Sequence, residues 1–389
     1  MLILKIIIAP DSFKDSISAV KAASSIEAGI KDVSNDFEIE KIPLSDGGDG
    51  LVESLVSATG GQIIEKKVMG PLEKKVDAFY GILGDANTAV IEMAAASGLQ
   101  LVPLEKRNAK RTTTFGTGEL ILDALNKGCT KLIIGIGGSA TNDGGIGMAK
   151  ALGVSFFDKK GNELVAIGGK DLIDLDTIDI SKLDSRLNNI KVQAACDVDN
   201  PLTGTYGATY VYGPQKGVDT KMLSNLEEGM KNFARVVNKD LCLNVDFPGA
   251  GAGGGFGAGI YAFLGGNLSS GIELVMNAVG FDQKVDDADL VITGEGKLDN
   301  QSIFGKVPVG TAKRAKKYQV PVVALAGDLN VKGNLIHEYG VDAYFSILNR
   351  PMDLDEALLK TSDLLKESAS QVIRLWMLAN GHVIHKQKR

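Results

Sequence analysis

The sequence predicts an α/β protein: a doubly wound parallel-sheet domain built from both ends of the chain, with a second α/β domain inserted between them. Three observations carry this. At both ends, continuous apolar runs of strand length alternate with segments of helical spacing, the pattern of a parallel sheet covered by helices. In the middle, residues 62–83 alternate apolar and charged side chains, which suits a half-exposed antiparallel sheet. The chain of 389 residues, 44% hydrophobic, is long enough for two cores at about 100–200 residues each.

The elements follow in order. Ile3–Ala9 is apolar but for one lysine, as in a strand buried on both faces. Ser18–Lys31 has helical spacing, with Ser16 or Ser18 as its cap. A strand over Glu38–Leu44 and a helix over Leu51–Ala58 complete a βαβα start. The inserted part reads as the alternating 62–83 segment, then strands at Ala89–Met93, Lys131–Ile136 and Val192–Ala195. Its helices fall at Glu119–Asn126, Gly145–Leu152 and Met222–Asn238. The doubly wound pattern then returns. Strands are expected at Asp289–Ile292, Val320–Ala326 and Ala343–Leu348, with helices at Val309–Lys317, Leu335–Tyr339 and Leu354–Arg374. The expected domains are 1–62 with 284–389, and 63–283.

Composition excludes several functions. A net charge of −6 argues against nucleic acid or an anionic membrane as partner. The apolar start MLILKIIIAPDS is too short to span a bilayer, which takes about 20 residues, and has no cleavage site. Cys129, Cys196 and Cys242 are odd in number and widely spaced, so neither a disulfide framework nor a thiolate zinc site is expected, and the cytoplasm is the natural compartment. The histidines, His337, His382 and His385, all come after the glycine- and aspartate-rich motifs. A Ser-His-Asp hydrolase or a histidine metalloenzyme is therefore disfavoured.

Six motifs carry candidate chemistry. In A9-P-D-S-F-K-D-S16, Asp11, Ser12 and Lys14 follow the first strand, where open α/β sheets bind ligands. Lys14 can hold a phosphate as a point charge. In L44-S-D-G-G-D-G50, Gly47 and Gly48 free backbone N–H groups while Asp46 can serve a divalent ion. In G135-I-G-G-S-A-T-N-D-G-G145, Gly137, Gly138, Ser139 and Thr141 make a polar loop suited to wrapping phosphates, with Asp143 serving a metal or a hydroxyl. In A195-C-D-V-D-N-P-L202, Asp197 and Asp199 share one face if the strand continues, as a base and a metal-side carboxylate would. In G249-A-G-A-G-G-G-F-G-A-G259, Gly253 and Gly254 offer backbone donors, with close helix packing the equal alternative. In I292-T-G-E-G-K-L-D-N-Q-S302, Glu295, Lys297 and Asp299 are expected in the crevice that holds Asp11 and Asp46, and Gly294 is a further candidate for binding substrate or nucleotide. There is no P-loop and no protein-kinase signature.

Taken together, APDSFKDS, PLSDGGDG, VIEMAAASGL, TTTFGTGEL, GIGGSATNDGG, CDVDNPL, GAGAGGGFGAG and TGEGKLDNQS resemble the bacterial type-1 glycerate kinases over nearly the whole chain. Only the stretch from Trp376 to Arg389, with its basic tail, matches nothing. The resemblance implies a flavodoxin-like domain carrying an inserted α/β domain, and ATP-dependent phosphorylation of D-glycerate to 2-phosphoglycerate, with 3-phosphoglycerate the lesser alternative. Phosphoryl transfer needs positioning, charge neutralisation and a route for the hydroxyl proton. Lys14 and Lys297 answer the developing charge, and Lys14 or Arg111 the glycerate carboxylate. Asp46, Asp143 and Asp197 are the candidate bases, with Asp197 preferred, and Asp46 and Asp199 stand on the Mg²⁺ side. Asp46, Gly137–Asp143 and Glu295–Lys297 are expected to converge. A homo-oligomer is compatible with this reading. Two rivals come from the residues alone: a nicotinamide-dependent hydroxy-acid dehydrogenase, weakened by the lack of a histidine near the motifs, and a non-catalytic two-domain protein binding a small acid.

Overall fold

The computed structural model describes residues 4–165, 168–300, 302–331 and 335–381. Ile3, His382, His385 and the basic tail lie outside the described residues. The chain divides into two compact units: residues 1–46, 53–58 and 275–389, and residues 47–52 and 59–274. The expected boundaries at 62/63 and 283/284 thus fall at 58/59 and 274/275, and the glycine segment 47–52 goes with the second unit.

The first unit begins with β1 (Leu4–Pro10), α1 (Ala19–Lys31), β2 (Phe37–Lys41) and α2 (Leu51–Thr59), the last shared with the second unit. Ser18 caps α1, its hydroxyl accepting from the Lys21 N–H. β2 ends at Lys41, earlier than the Leu44 expected, although Ile42 and Leu44 still donate N–H bonds to Ile8 and Pro10.

The second unit continues with β3 (Gln62–Met69), β4 (Lys75–Ile82), β5 (Thr88–Glu92), α3 (Ala94–Ser97), α4 (Phe115–Asn126), β6 (Lys131–Gly135), α5 (Ile146–Ala151), β7 (Ser155–Asp158) and β8 (Leu175–Asp179). Then come β9 (Lys191–Ala195), α6 (Ala208–Tyr212), α7 (Thr220–Leu241), α8 (Ala252–Leu264), β10 (Asn267–Ser269) and α9 (Gly271–Ala278). Its main sheet runs β10-β9-β6-β5-β4-β3, parallel from β10 to β5 and antiparallel from β5 to β3. β7 and β8 form a separate antiparallel pair. Sequence periodicity misses β7, β8, β10, α6 and α9, because each is too short to show a period.

The chain returns to the first unit with α10 (Phe281–Val285), β11 (Leu290–Asp299), α11 (Val307–Lys316), β12 (Val322–Asn330), α12 (Leu335–Glu338), β13 (Ala343–Ser346) and α13 (Leu354–Ala379). The five strands are all parallel in the order β13-β12-β11-β1-β2. With the insertion removed, this is the 2-1-3-4-5 order of a flavodoxin-like sheet, whose direction switches between β1 and β11. Ile6, Ile8, Leu290 and Ile292 meet Ile26 and Ile30 of α1 and Leu365 and Ile373 of α13 in one core. Each such side chain contributes about 1.5–3 kcal/mol on burial.

β11 corrects the sequence reading most. The strand expected to stop at Ile292 runs on through Gly-Glu-Gly-Lys-Leu-Asp to Asp299. β12 pairs it throughout, with Lys297 opposite Asp328 and Asp299 opposite Asn330. Two glycines and three charges read as a loop because the neighbour that satisfies their backbone lies some thirty residues away.

Candidate active site

The switch point of the first sheet gathers carboxylates. Asp11 follows β1, and its N–H donates to the Gly294 carbonyl at 2.8 Å, which fixes it beside β11. The next N–H along the chain, of Ser12, donates to Asp11 Oδ1 at 2.6 Å. Glu295, on β11, is buried, and Ser302 Oγ donates to its Oε1 at 2.7 Å. Asp46 completes the group. Burial, then the charges of Asp46 and Glu295, push the Asp11 carboxyl up to about 8 against the pull of the Ser12 N–H. Burial likewise pushes Glu295 up to about 7, against Ser302 and Lys306.

The cation that meets this group is not the one expected. Lys306 Nζ stands 3.6 Å from Glu295 Oε2 and 3.8 Å from Asp299 Oδ1. Lys297 is exposed and pairs with Asp328 at 3.4 Å on the neighbouring strand. Lys14 is exposed at the tip of the turn after β1, which Phe13 and Ile17 close by backbone bonds. Among the described residues, no set of three or more His, Cys, Asp or Glu side chains is gathered to hold a metal ion. The donor set at Asp11 and Asp46 still fits Mg²⁺, which takes one or two carboxylates and completes its shell with phosphate oxygens and water.

The second unit holds the remaining candidates. After β6, Gly137 and Gly138 are exposed, and Ser139 is buried. Behind them lies Lys216, a residue that no motif singled out. It is 2% exposed, and its Nζ donates to Ser139 Oγ and to the Thr141 carbonyl, each at 2.7 Å. Burial pulls its ammonium down to about 7, while Asp143 holds it up. Lys216 was invisible in the sequence because it sits in an ordinary Pro-Gln-Lys-Gly turn, 75 residues from the loop it supports.

Asp143 ties two helix starts together. It is wholly buried, and its carboxylate accepts from the Thr114 N–H and hydroxyl, each at 2.8 Å, and from the Gly145 N–H at 3.2 Å. Burial raises its pKa and these donors lower it. Its oxygens are committed to tying the start of α4 to the start of α5.

Asp197 and Asp199 do not share a strand face. β9 ends at Ala195, and the next N–H, of Cys196, turns to Ser269. Both carboxylates are exposed, and Asp197 Oδ1 accepts the Gly271 N–H at the start of α9 at 3.0 Å. Asp46 and Asp199 fall in different units. Gly47, at φ +98°, is packed against Ala195 and Gly271, so its glycine is required by close approach. Gly253 and Gly254 sit at φ +65° and +77° within α8, where the Gly254 carbonyl accepts from the Gly144 N–H. For Gly254 the packing alternative accounts for the glycine. Arg111 is exposed and lines a surface cavity of about 310 Å³ with Glu73, Lys170 and Asp171.

Residues 6–377 match the sequence model of the Glycerate kinase family. The chain belongs to this family. It is 52% identical over 370 residues to a glycerate kinase of Bacillus subtilis (strain 168), covering 95% of this chain and 97% of the other. It is 51% identical over 355 residues to glycerate 2-kinase of Escherichia coli (strain K12), covering 91% and 93%. The crystal structure of a putative glycerate kinase 2 from Salmonella typhimurium LT2 superposes with TM-score 0.90 at 47% identity, covering 97% of this chain and 100% of that one. Neither the dehydrogenase nor the non-catalytic acid-binding reading finds support in these relatives. No helix among the described residues is long and apolar enough to cross a membrane.

Proposed function

We propose that this glycerate kinase family member transfers the γ-phosphoryl group of ATP to the 2-hydroxyl of D-glycerate, in the cytoplasm, giving 2-phosphoglycerate and ADP. The observation that carries the reading is the 51% identity to glycerate 2-kinase of Escherichia coli over more than nine-tenths of both chains.

The roles follow from chemistry. In a loose phosphoryl-transfer transition state charge spreads over the transferred oxygens, so fixed cations and N–H groups contribute most. Asp11 and Asp46 would hold Mg²⁺, which neutralises phosphate charge when bound. Lys14 and Lys306 supply mobile and anchored positive charge. Asp197, held by the Gly271 N–H, orients the attacking hydroxyl and takes its proton late, a task that needs no strong base. Arg111 stays a candidate for the glycerate carboxylate.

The test is ADP release on adding D-glycerate to protein, ATP and Mg²⁺, with phosphorus NMR of the product. A 2-phosphate resonance is expected. ADP release that ignores glycerate, or a 3-phosphate product, overturns the reading as stated.

A further inference from the structure

Lys216 is a buried ammonium whose position nothing in the phosphoryl-transfer roles above uses. An ammonium only donates hydrogen bonds. Ser139 Oγ, 2.7 Å from Nζ, must therefore accept, and its own O–H proton is released to a further partner. No protein acceptor takes that proton among the described residues. The N–H groups of the adjoining exposed Gly137 and Gly138 likewise meet no protein acceptor there. Three donors thus stand together at the end of β6 over a buried positive charge. Gly138 adopts φ +68°, so the turn bends where a side chain would be strained. Thr112 Oγ1 holds the Ala140 carbonyl at 2.8 Å, and the Ala140 N–H holds Ser97. The loop is built, not loose.

We infer that residues 137–139 form an oxyanion site, with Lys216 as its positioning residue: the ammonium orders the Ser139 hydroxyl toward the ligand and supplies the charge behind it. The ligand class is a carboxylate or phosphate oxygen, and its identity as glycerate or nucleotide rests on the kinase reading. Asp143 is the charged group that acts on Lys216, from the loop entering α5. Ser139 and Thr141 face it with neutral oxygens, and the neighbouring Arg107 gives its Nη1 to the Gln215 carbonyl. Lowered to about 7 by burial, Lys216 loses its proton near neutrality. A neutral amine can accept from Ser139, and the hydroxyl then turns inward. Anion affinity should fall as pH rises through 7, because the anion binds the protonated form.

The experiment titrates full-length protein calorimetrically with D-glycerate and, separately, with inorganic phosphate, from pH 6 to pH 9. Parent, Lys216→Met and Ser139→Ala are compared, alongside KM for glycerate and for ATP. Both variants should weaken the same anion by about tenfold or more, the loss of one charge-assisted hydrogen bond. The parent should lose affinity above pH 7 relative to Lys216→Met, whose pH profile follows only the ionisation of the anion itself. A loss confined to glycerate identifies a carboxylate site, and a loss confined to phosphate and ATP a phosphate site. Folded variants that bind both anions within twofold of the parent overturn the proposal. So does a parent that binds neither anion, or a Lys216→Met variant with the parental pH slope. If Lys216→Met does not fold, Ser139→Ala and the parental pH profile decide. Anion binding that depends on Lys216, in a protein that turns over no glycerate, refutes the kinase reading alone.

Discussion

Gly254 lies so close to Thr141 that a Cβ on it would stand 2.0 Å from the Thr141 carbonyl oxygen. Its neighbours Gly253 and Gly255 are also left-handed, so α8 begins with a tight turn pressed onto the polar loop that follows β6. Gly254→Ala should lower stability by about 2 kcal/mol or more, from the left-handed backbone and the clash together. In a domain of this size that is roughly 4–8 °C in Tm. A melting temperature within 1 °C of the parent, roughly the scale of a neutral surface change, would contradict the packing.

The Asp11 carboxyl binds protons more tightly in the folded chain than in the unfolded one. The sign follows from linkage: between the unfolded value, about 4, and the folded value the native state holds the extra proton, so stability falls as pH rises. Asp11→Asn should therefore melt higher than the parent at pH 8 and level with it below pH 4. A gain of about 2–4 °C at pH 8 corresponds to 1 kcal/mol. A variant less stable than the parent at pH 8 would show that the carboxylate charge is already compensated.

Asp143 and Asp197 should separate anchor from reactive group. Asp143→Ala strands the Thr114 and Gly145 donors, each costing about 1–3 kcal/mol, and should lower the urea midpoint or abolish soluble protein. Asp197→Ala should stay within about 1 kcal/mol of the parent, since its side chain is exposed, while turnover drops at least tenfold. The reverse pattern in urea denaturation and initial rates would exchange their roles.

The metal-side assignment is read from a Mg²⁺ titration. Asp46→Asn should recover part of its rate at high Mg²⁺, because weakened affinity is offset by concentration. Asp197→Asn should recover none, because the missing group is not a ligand. Recovery by Asp197→Asn alone would reverse the two.

Lys14 is exposed, so its removal should cost stability no more than about 0.5 kcal/mol. If it meets transferred phosphate, Lys14→Ala should cut kcat/KM by about tenfold or more. Parental kinetics in that variant would leave Lys306 as the cation that matters.

The flavodoxin-like half was legible because each element announces itself locally. Ile6–Ile8 and Leu290–Ile292 are unbroken apolar runs, and the helices that cover them repeat at helical spacing. Asp11 and Glu295 could be placed near each other from position alone, since both follow apolar strand runs in an open parallel sheet. The motif string carried the family for the same reason: side chains of fixed type at fixed spacing are a property of the sequence. Only tertiary structure decided which charged groups are paired. The sequence singled out Lys297 and passed over Lys306, yet Lys297 pairs with Asp328 along the extended β11 and Lys306 stands beside Glu295. Asp143 and Asp197 look alike in their motifs, yet one is sealed among backbone donors and the other is exposed. Lys216 becomes notable only once folding buries it against Ser139. Burial and hydrogen-bond partnership depend on contacts between distant segments, and they determine whether a carboxylate or an ammonium is an anchor, a ligand or a surface charge.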